Sequence, residues 1–575
     1  MLPLALTLVT SSSMPKPPLL NSKAHSHNLR TYLPAWQQLF LREGSDAAYP
    51  MPAASDVQDL LKALAGVKGL ALRTNPATTV TEGMGYAMFV AGMQKDVPTL
   101  KALAVGWQAN GQGFGGQPAC GGCCPAPEMQ HQPARDICAS AAKGGLCGLV
   151  PGAYLPGWRM PMGDSGSMGS ATDADEDAIS GLIYLAELLD DDEVRTYAVK
   201  SIAAFVIEDL GLADRARNSR RVPSKGDIPE ALQTIYLWRG GTCWGGYDLP
   251  ATDAHGRTNR NLCVAPAYFS PGQWRLFQQY LRRHGDKLPF RADESAGGFT
   301  LSTEARYTVD AMVDVLESAI VWGYNLLQRI ACHNGLVSNW YTLPQGDVWP
   351  WAQSPAGGLH CSNSATDAGA YGADAVRIPW RVALDYLWFP EETSRVPLFD
   401  DSGRRIGVFG AKEYSNRWAD AWMDLIRAAT DASSGTGFPE GSYPPLCEGV
   451  ERLRPDQVLP LLTKLTPCPF CPKGMTASPW NGASRHPLRC EDASRMNEPR
   501  RGATPRGSST RAPHGMPSTH VPCLPLLTAI PSPRCVGWGA YPIVTALMVP
   551  LDNVPRQEQQ EWIDFFAEIA FEGCA

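Results

Sequence analysis

The pattern of apolar and polar positions is clearest in residues 169–189, where an apolar period near 3.6 residues predicts a buried helix face. The apolar positions are Ile179, Leu182, Ile183, Leu185, Ala186 and Leu189. The acids Asp173, Asp175, Glu176 and Asp177 directly precede this run. Acids in a first turn suit the positive end of the helix dipole, with Ser170 or Thr172 as the N-cap. A structural role at the helix start and a functional role, with carboxylates directed away from the helix, both fit this pattern.

The same periodicity predicts helices along most of the chain. They are expected within residues 32–72 and 100–107, over 193–209, from 265 onward, over 308–330 and 374–388, and at 418–429, 528–548 and 557–571. Strand-like alternation is scarce. Helices joined by elaborate loops predict one large all-α domain in which the loops carry the function.

Two stretches depart from this pattern. Residues 1–28 are rich in Ser and Pro, and residues 449–520 are rich in Pro, Ser and Arg without any apolar period. We therefore predict a disordered N-terminal segment (1–28), a domain formed by 29–448 and 521–575, and a low-complexity insertion (449–520). The insertion is expected to be dispensable for the core.

Composition narrows the classes of partner. The chain has 575 residues, 44% of them hydrophobic, and a net charge of −7, which disfavours nucleic acid and anionic membrane surfaces. No apolar run of about 18 residues is present, so no membrane span is predicted. The 17 Trp are about twice the ordinary share, and indoles suit clefts that stack sugar rings. The short apolar run after Met1 lacks the basic region of a secretory signal peptide, so the sequence does not decide whether the protein is exported. A monomer is expected.

The 16 cysteines concentrate in two Gly/Pro-rich stretches. Cys120/Cys123 and Cys468/Cys471 have the spacing of half a zinc knuckle, but neither has a second C-x-x-C. The acids at 173–177 lack the turn glycine and the closing glutamate of a calcium loop. Disulfides, free thiols and a structural zinc all stay open for the cysteines. We predict no metal and no cofactor for the activity.

Glu82 is the first candidate for acid–base chemistry. With Thr79 it fits a capping box, which is the structural interpretation. However, Gly83 and Gly85 follow it, and glycine costs a helix up to about 1 kcal/mol per residue. Their presence favours close approach of a substrate to the backbone. Apolar neighbours such as Tyr86 would raise the pKa of Glu82, as a general acid requires.

Asp374 is the second candidate carboxylate. Arg377 follows it by three residues, and Pro379 marks the start of a helix. An Asp–Arg pair that holds the helix entry is the structural interpretation. A general base beside a cation is the functional one.

Several segments occur together in a characteristic order. They are Thr-Glu-Gly-Met-Gly-Tyr-Ala-Met (81–88), Ser-Ala-Thr-Asp-Ala-Asp-Glu-Asp-Ala (170–178), Pro-Ala-Tyr-Phe-Ser-Pro (266–271), Asn-Gly-Leu-Val-Ser-Asn-Trp (334–340) and Asp-Ala-Val-Arg-Ile-Pro-Trp-Arg-Val-Ala-Leu-Asp-Tyr-Leu (374–387). Over roughly 30–450 and the C-terminal helices, the chain resembles glycoside hydrolase family 8. The resemblance implies an (α/α)6 barrel with long loop insertions and an inverting, endo-acting hydrolase of β-1,4-linked glycans.

The resemblance also assigns roles. It implies that Glu82 is the general acid and that Asp374 is the base that activates water. The substrate-binding residues that it implies are Asp173, Trp158, Tyr268 and Arg377. Asp173 would hold the sugar next to the scissile bond, and Trp158 would be a sugar platform.

The sequence also departs from the family pattern. Ala373 stands where the family usually has Tyr before the base, and Asn339 replaces an Asp. Residues 117–150 and 449–534 have no recognised counterpart. The cleft motifs show no surplus of acids for a cationic chitosan, so cellulose or mixed-linkage glucan is the expected polysaccharide. A chitosanase or xylanase, a catalytically degenerate carbohydrate-binding barrel, and an interaction protein built on the Cys-rich segments are the alternatives.

Overall fold

A computed structural model of the protein describes part of the chain. The described residues are 41–43, 61–72, 79–112, 154–160, 170–210, 219–221, 227–241, 262–285, 308–331, 335, 337, 341–343, 375–400, 402–418, 549–550, 552, 555–557 and 559–560. The predictions for residues 1–28, 117–150 and 449–534 lie outside these residues. So do the predicted helix 528–548 and most of the predicted helices 418–429 and 557–571.

Helices dominate the described residues, which confirms the all-α prediction. They are α1 (Thr81–Met93), α2 (Val97–Gln112), α3 (Thr172–Leu189), α4 (Asp192–Glu208), α5 (Pro271–His284), α6 (Val309–Ile330), α7 (Ile378–Trp388) and α8 (Pro390–Thr393), followed by helical residues 411–418. Short 3₁₀ turns lie at Lys62–Leu64, Glu230–Leu232, Pro266–Tyr268 and Ala375–Arg377.

The strands of the described residues form only two-stranded antiparallel pairs. The pairs are β1 (Leu41–Glu43) with β2 (Leu70–Leu72), β3 (Thr79–Val80) with β4 (Arg159–Met160), β5 (Ser219–Arg221) with β6 (Thr234–Tyr236), β7 (Leu262–Val264) with β8 (Tyr341–Leu343), and β9 (Pro397–Phe399) with β10 (Arg405–Val408). The prediction of helical pieces over 32–72 is therefore wrong at β1 and β2, whereas Lys62–Leu64 does form a short 3₁₀ helix. Residues far apart in sequence pair in these two strands, which local periodicity does not register.

Helix α3 lies at the centre of the packing. It is buried along Thr172–Ala186 and packs most extensively against α1. Glycines let the two helices approach closely: a Cβ at Gly181 would lie 2.8 Å from the Met88 carbonyl carbon, and one at Gly85 would lie 2.5 Å from the Ala174 oxygen. Gly85 therefore accommodates the backbone of α3, not the substrate that the sequence suggested.

The start of α3 differs from the prediction. Its N-cap is Ala171, and no side chain caps it, so neither Ser170 nor Thr172 has the predicted role. Instead, the Thr172 amide donates to the Gly240 carbonyl oxygen at 3.1 Å. A neighbouring loop therefore holds the helix end that carries the acids.

Candidate active site

Glu82 is the second residue of α1, and its carboxylate accepts a hydrogen bond from an indole. Trp158 Nε1 donates to Glu82 Oε2 at 2.6 Å. The β3–β4 pairing, and a bond of 2.8 Å from the Thr81 amide to the Trp158 carbonyl oxygen, hold the indole in place. The predicted capping box is wrong, because Val80 is the N-cap of α1 and no side chain caps this helix. The Glu82 carboxylate instead accepts hydrogen bonds from the Trp158 indole and from its own backbone amide.

The surroundings of Glu82 favour its protonated form. Burial, and after it the Asp173 carboxylate, raise the pKa of Glu82 from 4.5 to about 8. Arg377 and the Trp158 indole act in the opposite direction. The sequence predicted this direction of shift. A carboxyl group that is protonated at neutral pH can serve as a general acid.

Asp173 lies in the first turn of α3 and forms an ion pair with Arg377. The carboxylate is buried, and the Arg377 side chain is 18% exposed. Arg377 ends the 3₁₀ turn that leads into α7, so the pair joins the starts of α3 and α7. Both partners influence the charge of Glu82, which places the three side chains in one electrostatic environment.

Asp374 lies outside the described residues, as do Ala373 and Asn339. The next residue, Ala375, is buried and begins the 3₁₀ turn Ala375–Arg377. The turn Pro266–Tyr268 packs against it, and Tyr268 is buried. The predicted residues that the structure brings into one region are Glu82, Trp158, Asp173, Arg377 and, on the adjoining turn, Tyr268.

Arg381 is a residue that the sequence analysis did not single out. It lies one turn after Arg377 on α7 and is fully buried. Its guanidinium contacts the carboxylates of Glu176 and Asp177, with Nη2 at 2.8 Å from Asp177 Oδ2. Nη2 also donates to the Asp173 carbonyl oxygen at 3.4 Å. Two arginines at a spacing of four, which puts them on one helix face, could have indicated this role.

Helix α5 supplies further partners to the acids of α3. Gln273 Nε2 donates to Asp177 Oδ1 at 2.7 Å, and Trp274 Nε1 donates to Glu176 Oε2 at 2.9 Å. These two carboxylates are thus held within the core by α5 and α7. The structural and functional interpretations of the acidic segment therefore apply to different residues: Glu176 and Asp177 hold helices together, whereas Asp173 reaches the candidate site.

The site offers a protonated carboxyl, an ion pair and an indole donor. In the described ranges, no group of three or more His, Cys, Asp or Glu side chains is placed to hold a metal ion. No helix among those residues has the length and apolar character to cross a membrane. The chemistry that these side chains support directly is proton transfer at a polar bond.

Comparisons with known proteins add little to this geometry. No family model matches the chain, and no curated protein matches it in sequence. It is similar to the structure of Rex8A from Paenibacillus barcinonensis complexed with xylose (13% identity, 96% of this chain and 93% of that one, TM-score 0.39). Endo-beta-1,4-glucanase CMCax from Acetobacter xylinum is also similar (12% identity, 64% and 85%, TM-score 0.30). At these TM-scores the similarities do not support an argument about function. The function is therefore inferred from the side chains of the candidate site.

Proposed function

We propose that the protein is a glycoside hydrolase that cleaves β-1,4-glycosidic bonds within a glucan, with inversion at the anomeric carbon, on an (α/α)6 barrel. The observation that carries the proposal is the buried Glu82 carboxyl, which accepts a hydrogen bond from Trp158 Nε1 and has a raised pKa that the charges of the Asp173–Arg377 pair influence. The motif resemblance supports the same roles. The protein is expected to act as a monomer without a cofactor.

Glu82 is assigned the role of general acid. Cleavage of a glycosidic bond requires a proton on the leaving oxygen as the bond to the anomeric carbon breaks. A pKa of about 8 keeps Glu82 protonated at neutral pH. Once the proton has left, the Trp158 indole N–H and the Arg377 guanidinium stabilise the carboxylate that forms.

Asp374 is assigned the role of general base. It takes a proton from a water molecule whose oxygen attacks the anomeric carbon from the face opposite to the leaving group. An inverting enzyme needs the two carboxyl groups about 6.5–9.5 Å apart, because that water lies between them. The buried Ala375 directly after this residue would fix the backbone next to the base.

The other predicted residues would bind the sugar. The Asp173 carboxylate, fixed by Arg377, can accept hydrogen bonds from hydroxyl groups of the sugar beside the scissile bond. Trp158 offers an indole face to a pyranose ring while its N–H holds Glu82. Tyr268 and Arg377 would line the cleft near the base.

The test of these roles uses two amide variants. Glu82→Gln should abolish hydrolysis of natural glycans and spare much of the rate on an aryl glycoside whose leaving group needs no proton. Asp374→Asn should be inactive on both substrates. Proton NMR of the first-formed anomer should show the α-product from a β-linked substrate. If the β-product forms first, or if Glu82→Gln stays active on natural glycans, the assignment is wrong.

Two further measurements separate the alternatives. A product profile on carboxymethylcellulose, lichenan, xylan and chitosan identifies the glycan, with the first two expected to be cleaved fastest. A wild-type protein that binds these glycans but releases no reducing sugar would instead be a degenerate carbohydrate-binding barrel.

A further inference from the structure

A second pair of carboxyl groups joins the start of α3 to the end of α4 and has no part in the proposed chemistry. Asp175 belongs to the first turn of α3, and Asp209 directly follows α4. Both side chains are completely buried, and their carboxyl groups are hydrogen-bonded to each other. Two carboxylates cannot make that bond unless one of them carries a proton.

The hydrogen-bond donors around the pair are too few for two carboxylates. Ser170 Oγ donates its single proton to Asp209 Oδ1 at 3.3 Å. The same hydroxyl also lies within hydrogen-bonding reach of Asp175, but its one proton cannot serve both carboxyl groups. In the part of the chain that the structure describes, Asp209 Oδ2 has no other donor. Buried carboxylate oxygens without donors are costly, and a proton on one carboxyl would supply the missing donor.

The surrounding charges indicate which group holds the proton. Arg239 faces Asp209 and Glu208, whereas Asp173 is a like charge for both members of the pair. Burial raises the pKa of Asp175 well above its usual range and that of Asp209 to about 7. The cation beside Asp209 favours its ionised form, so the proton resides on Asp175.

We propose that Asp175 and Asp209 share one proton, with the Asp175 O–H donating to Asp209, and that this bond positions the start of α3 and therefore Asp173. Neighbouring contacts hold the same junction. The Arg239 amide donates to the Asp209 carbonyl oxygen at 2.8 Å, and the Thr172 amide donates to the Gly240 carbonyl oxygen at 3.1 Å. Loss of the proton to solvent leaves two buried like charges, which would push the turn that carries Asp173 away from α4.

The pair makes stability depend on pH with a definite sign. A carboxyl whose folded pKa lies above its unfolded value stabilises the fold at low pH, and this contribution is lost as the pH rises through the folded pKa. The wild-type free energy of unfolding, measured in urea from pH 5 to pH 9, should therefore fall with rising pH. Asp175→Asn places a permanent N–H donor at the same position. Its free energy of unfolding should therefore fall less steeply with pH than that of the wild type, by the slope that corresponds to about one proton. Glu392→Gln makes the corresponding change at an exposed carboxyl and should leave the slope unchanged.

The outcomes distinguish this pair from the proposed function. If the free energy of unfolding depends equally on pH in the wild type and in Asp175→Asn, the proposal of a shared proton is wrong, whatever the protein hydrolyses. Failure of Asp175→Asn to fold at pH 6 also overturns it, because the amide should replace the O–H there. The positioning of Asp173 affects catalysis only if the proposed function is correct. It is tested by the pH profile of kcat/KM: the decrease of kcat/KM at alkaline pH should occur at higher pH in Asp175→Asn than in the wild type. A reduced slope in a protein without hydrolase activity would support the pair and refute the proposed function.

Discussion

At the scale of single residues, one indole hydrogen bond opposes the rise in the pKa of Glu82. Trp158→Phe keeps a ring but loses the donor, so the pKa of Glu82 should rise and the alkaline limb of kcat/KM should move to higher pH. The value of kcat should fall about 10- to 100-fold, because a hydrogen bond to a charged group contributes about 1.5–3 kcal/mol. Trp388→Phe is the control, since Trp388 Nε1 has no hydrogen-bond partner in the described residues. A limb that does not move would contradict the role of Trp158.

The Asp173–Arg377 pair predicts two shifts of opposite sign. Asp173 raises the pKa of Glu82 and Arg377 lowers it. Asp173→Asn should therefore move the alkaline limb of kcat/KM to lower pH, and Arg377→Met should move it to higher pH. Both changes should also lower kcat/KM by about 10²–10⁴, the size expected when transition-state hydrogen bonds are lost. Shifts in the same direction, or a change in melting temperature alone, would return the pair to a structural role.

The sequence could identify some of these residues but not their contacts. Glu82 and Asp173 lie in recognisable motifs, and the apolar neighbours of Glu82 correctly predicted the direction of its pKa shift. The bond from Trp158 to Glu82 joins residues 76 positions apart and depends on the pairing of β3 with β4. Likewise, the spacing of acids in α3 did not reveal which of them faces the site, because α5 and α7 decide it.

At the scale of secondary structure, long periodic segments were predicted well. The predicted helix 308–330 corresponds to α6, whose start Thr308 caps by accepting a hydrogen bond from the Ala311 amide at 3.1 Å. The predictions for 169–189 and 193–209 likewise correspond to α3 and α4. Such helices bury a continuous face, which the apolar period records. Short segments such as β1 and β2 owe their form to a distant partner, so their own pattern was misleading.

The crossing of α1 and α3 places Glu82 near Asp173, and Gly85 allows this approach. Alanine is the better helix former by about 1 kcal/mol, but its Cβ would lie 2.5 Å from the Ala174 oxygen. We expect Gly85→Ala to destabilise the protein by about 1–3 kcal/mol, since overpacking outweighs propensity, and to lower kcat/KM. Thermal unfolding and kinetics measure both effects. Gly407→Ala is the control, because a Cβ added at Gly407 would have no atom within 4 Å apart from those of its chain neighbours. If Gly85→Ala is stabilised and fully active, α1 and α3 are not tightly packed against each other at this position.

At the scale of the whole molecule, residues that follow the predicted insertion pack against helical residues that precede it. Lys412 Nζ lies 2.6 Å from Asp552 Oδ1, and the Asp552 amide donates to Asn416 Oδ1 at 2.7 Å. Val549 is fully buried, and its carbonyl oxygen accepts a bond from Gln559 Nε2 at 2.7 Å. These contacts between residues 412–416 and residues 549–559 support a domain that continues after the insertion. The boundaries at 448 and 521 remain predictions.

Replacement of residues 449–520 by a short Gly/Ser linker tests this organisation. The segment has dense Pro and Ser and no apolar period, so its removal should cost the core little. We expect cooperative thermal unfolding close to that of the full chain, with glycan hydrolysis retained. Truncation after residue 548 is the matched comparison, and it should lower the melting temperature because it removes the buried Val549 and the Asp552 contacts. If the linker variant loses cooperative unfolding, residues 449–520 belong to the folded core. If the truncated chain is as stable as the full one, the C-terminal segment is not part of that domain.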